Sequence, residues 1–285
     1  MAGMKWLQRH GLVRAEEECP NLARSPRPLF SLVSLAVFCS FSSAEGQGLP
    51  PCLPPVAGTA KVAGVQDNGV LVLDDHRTVK LEGLLWPAGE RDGARDSLLA
   101  GSTATFRSLV AGHRLVLRVR EPRQDRYDRL RVQAVLEDGE WLQREILRRG
   151  LARVSVAPDR PDCVRDLYAA EAEARVVGVG LWANSAYRVR TPESLRWQDL
   201  GTFRIVEGQV LNAKVSGGRG YLNFGRNWRT DFTVTIAPED MKRFKNANID
   251  PYSYAGKTVR VRGWIDRLHG FEIEAASPAQ IEMLK

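Results

Sequence analysis

Apolar residues along the chain fall into short runs separated by turn-forming residues, and two periods dominate. Strand-like runs occupy 70–73, 79–85, 115–119 and 130–136. In the last of these Leu130, Val132, Ala134 and Leu136 share one face, while Arg131 and Gln133 share the other. Asp67-Asn68-Gly69 and Asp138-Gly139 tolerate left-handed backbone and are expected as turns. Helical spacing predicts three helices. The first spans 95–111 and ends at Gly112; the second spans 141–149 and is stopped by Gly150. In the third, 164–177, Val164, Leu167, Tyr168 and Ala174 recur on one face behind an Asp162 cap. From Phe203 the pattern returns to strands at 203–215, 220–224, 231–236, 257–266 and 270–274, with a short helix at 238–245.

Five strands with a helix between the third and fourth is the order of a small OB-type barrel. The expected class is therefore α+β, built on β-barrels. Its parts are a leader at 1–44, a proline-rich linker at 45–55, a first domain at 56–184, a connection at 185–202 and a second OB-like domain at 203–285. A chain of 285 residues accommodates two such domains.

The leader has targeting character. Residues 29–41 form an apolar run of secretory length, preceded by Arg24 and Arg27 and followed by the small residues Ser42-Ser43-Ala44. A membrane-spanning helix needs roughly 20 apolar residues, more than this run supplies. The reading is an exported protein, periplasmic or secreted, with no stable membrane insertion once the leader is removed. Anchoring by an uncleaved leader is the alternative. The formal charge is +7, and the leader's five basic and three acidic residues account for two of it, leaving +5. Positive charge of this size permits polyanion binding without establishing it. Removal of residues 1–44 leaves two cysteines, Cys52 and Cys163, which an oxidising compartment would pair. Such a bridge closes a loop of about 110 residues, worth roughly 4–5 kcal/mol in the chain-entropy model.

Several local motifs occur together: Val79-Lys80-Leu81-Glu82-Gly83-Leu84-Leu85-Trp86-Pro87, Asp125-Arg126-Tyr127-Asp128-Arg129, Leu151-Ala152 after Gly150, Ala170-Glu171-Ala172-Glu173-Ala174-Arg175 and Gly180-Leu181-Trp182. With the element order, they make residues 56–184 resemble the staphylococcal nuclease family. The resemblance implies an OB barrel with added helices, and calcium-dependent phosphodiester cleavage. That chemistry needs hard oxygen ligands for calcium, a carboxylate base to activate water, and arginines against the growing phosphate charge. By the resemblance, the metal-ligand positions fall on Gly69, Leu85 and Trp86, the general base on Ala88 and the first arginine on Lys80. Arg129 and Tyr127 match the family's phosphate-binding pair. Glu82, Glu90 and Asp92 are the carboxylates close enough in sequence to be considered as substitutes. The expectation is that no cofactor is bound, calcium being the alternative, and that Arg129 and Lys80 retain phosphate binding only.

The second domain interleaves Tyr221, Phe224, Trp228 and Phe232 with Arg219, Arg226 and Arg229, and its fourth strand places Arg260 and Arg262 on one face. Aromatic and arginine side chains on one sheet face suit single-stranded nucleic acid; the same aromatics also suit a barrel core. Tyr127, Arg129, Arg260, Arg262, Tyr221 and Trp228 are the candidate nucleic-acid contacts. Three functions follow as expectations: a non-catalytic binder of nucleic acid or of an envelope partner, a calcium-dependent nuclease with rearranged carboxylates, or a structural envelope protein.

Overall fold

The computed structural model describes residues 48–284, so the expected leader lies outside the described residues. Strands β1 (Val56–Val65), β2 (Leu71–Leu73), β3 (Thr78–Leu81), β5 (Arg114–Arg118) and β6 (Leu130–Leu136) close into a barrel in the order β1-β2-β3-β6-β5. All pairings are antiparallel except β3 with β6. Inward-facing Leu71, Leu73, Val79, Leu115 and Val132 fill the barrel, and Phe106 and Val110 of α1 (Asp96–Val110) join the same core. The predicted run 79–85 is not one strand. It breaks at Gly83, where φ is +81° and a Cβ would come within 2.5 Å of Leu167. The chain then forms β4 (Leu84–Leu85), which leaves the barrel and pairs with β7 (Arg153–Val154). Helices α2 (Leu142–Arg148) and α3 (Val164–Val177) pack on this side.

The second half has β8 (Phe203–Gln209), β9 (Asn212–Ser216), β10 (Arg219–Asn223), β11 (Thr233–Ile236), α4 (Met241–Asn246), β12 (Thr258–Trp264), β13 (Asp266–Arg267), β14 (Phe271–Glu274) and β15 (Ile281–Met283). They form a five-stranded sheet, β13-β14-β11-β10-β9, and a three-stranded sheet, β15-β12-β8. The expected strand 203–215 is interrupted at Val210-Leu211, and the expected 257–266 bends at Ile265. At these two corners the chain passes from one sheet to the other, around a core that includes Val206, Leu222, Val234, Val259, Val261 and Ile273.

The described residues form one compact unit. Residues 185–202 contribute buried Ala186, Tyr187, Leu195 and Asp199. Ala94, Ala174, Leu181, Trp182, Tyr187 and Ile205 make an apolar cluster where the halves meet. Two buried ionic groups flank it. In one, Arg153 donates to Asp92 (2.8 Å) and to the Phe203 carbonyl (2.7 Å), while Arg204 pairs with Asp199 (2.7 Å) and donates to the Asp92 carbonyl. In the other, Arg262 bridges Glu171 of α3 (2.8 Å) and Glu282 of β15 (2.7 Å), its guanidinium stacked 3.8 Å from the Tyr168 ring centroid. Breaking one partner of such a buried pair typically costs about 3–5 kcal/mol, because the other charge is left uncompensated.

Cys52 and Cys163 are disulfide-bonded, with Cα atoms 5.3 Å apart, tying the proline-rich segment to the start of α3. Bonds of this kind belong to oxidising compartments. Among the described residues no helix is long and apolar enough to cross a membrane.

Candidate functional site

The turn after β1 brings Gly69 round with φ +75°, which only glycine adopts without strain. The space its side chain would enter is taken by Trp86. A Cβ on Gly69 would lie 1.9 Å from the indole Nε1 and Cε2. The indole also packs on Phe106, with ring centroids 4.6 Å apart, and joins the edge of the barrel core. Leu85 lies on β4, opposite Arg153. These three positions therefore present no side-chain oxygen, and an aromatic ring fills the space beside Gly69. They do not fit a calcium ion, which takes six to eight oxygen ligands.

Two of the three neighbouring carboxylates are committed elsewhere. Glu82 is buried and accepts from Arg131 (2.6 Å) and Arg160 (3.1 Å). Asp92 is 1 % exposed; it accepts from Arg153, the Tyr187 hydroxyl (3.0 Å) and the Ala88 backbone N–H (2.9 Å). Glu90 stays exposed in the same short 3-10 helix, Gly89–Asp92. Among the described residues, the one group of three metal-capable side chains is Cys52, Cys163 and Asp166, and its two sulfurs are bonded to each other.

The run Asp125–Arg129 forms the loop before β6. Asp125 shapes it: Oδ1 accepts from the backbone N–H groups of Tyr127 and Arg129, and Oδ2 accepts from the Arg129 guanidinium at 2.6 and 2.8 Å. Burial pulls the Asp125 carboxyl upward, but the hydrogen bonds from Arg129 and the backbone outweigh it and hold it below its usual range. Tyr127 is 60 % exposed and lies between Arg126 and Arg129, each 4.8 Å from its ring centroid. Lys80 sits on β3 in register with Arg131 and points to solvent.

Residues 100–184 match the family described as staphylococcal nuclease homologue. This nuclease-like segment holds most of α1, then β5, β6, the Asp125–Arg129 loop, α2 and α3; Gly69, Lys80 and Trp86 lie before it. Comparison with curated proteins gives no match.

Outside the nuclease-like segment, the expected contacts of the second half separate. Arg260 and Arg262 do share a face of β12, as their spacing implied, but that face is not open to solvent. It packs against α3, so Arg262 is 1 % exposed and its carboxylate partners hold it in charged form despite the burial. Arg260 pairs with Glu207 across the ladder (2.8 Å). Phe224 and Phe232 are core residues, packed at 5.0 Å. Tyr221 and Trp228 are not. Both line an open cavity of about 390 Å³ with Asn212, Lys214, Asn223 and His269. The last four were missed as site residues. Alternation along β9 and β10 marked three of them, because Ala213 and Leu222 face the core.

Proposed function

We propose that this is an exported nuclease-like protein that holds single-stranded nucleic acid without cutting it. The observation that carries the reading is the Trp86 indole standing against Gly69, at the positions where the family resemblance places calcium ligands. Without oxygen ligands there is no Lewis acid at the phosphate, and with Ala88 at the base position the nearest uncommitted carboxylate, exposed Glu90, stands two residues away from it. Glu82 and Asp92 cannot substitute while each is bound by arginines in the folded core. What remains suits binding. Tyr127 with Arg126 and Arg129, exposed Lys80, and the cavity around Tyr221 and Trp228 offer rings and positive charge to bases and phosphates. The disulfide supports an oxidising destination, in agreement with the export character of residues 1–44.

The test is a fluorescein-labelled 20-mer of single-stranded DNA, incubated with the purified mature chain with and without calcium. The expected result is retarded, intact oligonucleotide. Fragments that require calcium and disappear in Arg129→Ala would overturn the reading.

A further inference from the structure

The sheet β9-β10-β11 has one face in the core and one face built for contact. Inward go Ala213, Leu222, Val234 and Ile236; outward go Asn212 and Lys214 of β9, Tyr221 and Asn223 of β10, and Thr233 of β11. The register sets them in two rows. Asn223 lies opposite Asn212 on one side and Thr233 on the other, whereas Tyr221 lies opposite Lys214. Above this floor stands an aromatic wall. Trp228 comes from the β10–β11 loop and His269 from the β13–β14 turn, and their rings meet edge-on at 5.1 Å.

The wall is held in place by its own backbone. Asp231 accepts from the Asn227 N–H (2.8 Å), and Asn227 accepts from the Arg229 N–H (3.2 Å). Gly270 passes so close to the loop that a Cβ there would lie 2.5 Å from the carbonyl oxygens of Thr230 and Asp231. The two loops therefore lie in close contact, and Trp228, 49 % exposed, stands on the first of them against His269. Arg229 stacks on it from one side, 4.6 Å from its ring centroid. Lys214 has no carboxylate partner among the described residues, which leaves its charge for a ligand.

We infer that this cavity is a base-recognition pocket. It takes one unstacked base of a single strand against Trp228 and Tyr221, with Lys214 and Arg229 on the flanking phosphates. Three features carry the inference. The volume, about 390 Å³, lies within the roughly 300–1,000 Å³ range of small-ligand sites. Tyr221 stands on a paired strand and Trp228 against His269, which limits the ordering entropy that opposes stacking. Asn212 and Asn223 side by side offer both donor and acceptor groups to a base edge. Cationic residues at the rim favour a polyanion over a neutral sugar chain, which the rings alone would also accept. This inference rests on the proposed function and assigns its site.

The experiment uses the mature chain with labelled single-stranded 12-mers, read by fluorescence anisotropy, with an abasic phosphodiester oligomer and a neutral oligosaccharide as competitors. Stacking on one ring is worth about 1–3 kcal/mol, so Trp228→Ala is expected to weaken binding by roughly 5- to 150-fold. Trp197→Ala, at another exposed tryptophan (62 %), is expected to leave affinity unchanged, and thermal melts confirm that both variants fold. The abasic oligomer is expected to compete at least ten-fold less well than the intact strand. If the wild type binds and Trp228→Ala binds equally well, or the abasic oligomer competes fully, the pocket assignment is overturned while the binding function stands. If the neutral oligosaccharide displaces the strand, the pocket assignment is overturned; if no strand binds at low salt, both are overturned.

Discussion

The indole of Trp86 occupies the space that any side chain at Gly69 would need, with Nε1 1.9 Å from the position of a Cβ. One bulky ring thus bears on stability and on chemistry together. It extends the barrel core past Phe106, and it closes the place where the family resemblance puts a metal ligand.

Gly69→Ala is expected to be more damaging than Gly112→Ala. Both glycines have φ near +75°, but Gly112 has nothing within 4 Å of a Cβ. Gly112→Ala therefore reports backbone strain alone, about 1–3 kcal/mol. Gly69→Ala adds displacement of Trp86, about 1–3 kcal/mol more. Urea unfolding of the two variants measures the difference; equal losses would mean that Trp86 is free to move aside.

Arg262→Ala is expected to destabilise the protein by about 3–5 kcal/mol, by stranding buried Glu171. Arg260→Ala, at a partly exposed pair with Glu207, is expected to change stability by no more than about 1 kcal/mol. The contrast is read in the same denaturation series, and a mild Arg262→Ala would show that the halves do not depend on this bridge.

Much of this architecture was legible in the chain. Helices α1, α2 and α3 were read to within a residue or so at each end, from apolar spacing with a following glycine for α1 and α2; the Asp162 cap expected for α3 is not made, Cys163 standing at its N-cap with no side-chain cap bond. Strand β1 was not picked out by its own pattern: Val56–Val65 is largely alanine, glycine and threonine, and only Ala60 and Val62 of it are buried. The Cys52–Cys163 bridge was legible by counting. The fate of Arg262 was not, since its partner Glu171 is 91 residues away on another element. Spacing put Arg260 and Arg262 on one face correctly, but it carries no information on what covers that face. Tyr221 and Trp228 could not be told from Phe224 and Phe232 until the loop between β10 and β11 had a shape.

Replacing both Cys52 and Cys163 by serine is expected to lower stability by about 2–5 kcal/mol, as loss of a bridge with a sequence separation of 111 residues frees the unfolded chain. Mass mapping of the non-reduced protein should recover the linked peptides. Two free thiols in the protein recovered from an oxidising compartment would contradict the pairing.

Glu272→Gln is expected to stabilise the protein at neutral pH. Burial raises the Glu272 carboxyl above its usual range, and Glu274 and Asp266 push the same way, outweighing the hydrogen bond from Thr235. A group raised on folding favours the folded state below its unfolded pKa, and that contribution is lost as pH rises through the folded value. The melting-temperature gain of Glu272→Gln should therefore be present at pH 7 and absent below about pH 4, the unfolded glutamate range. A gain independent of pH would point to packing instead of charge.

The most direct measurement follows binding and integrity of one labelled single strand in the same tube, across a calcium titration at neutral pH. The expected result is saturable binding with the strand intact at every calcium concentration, and affinity that falls with salt by about 0.7 log units per tenfold salt for each phosphate contacted. Calcium-dependent cleavage by the wild type, abolished in Arg129→Ala, would contradict it.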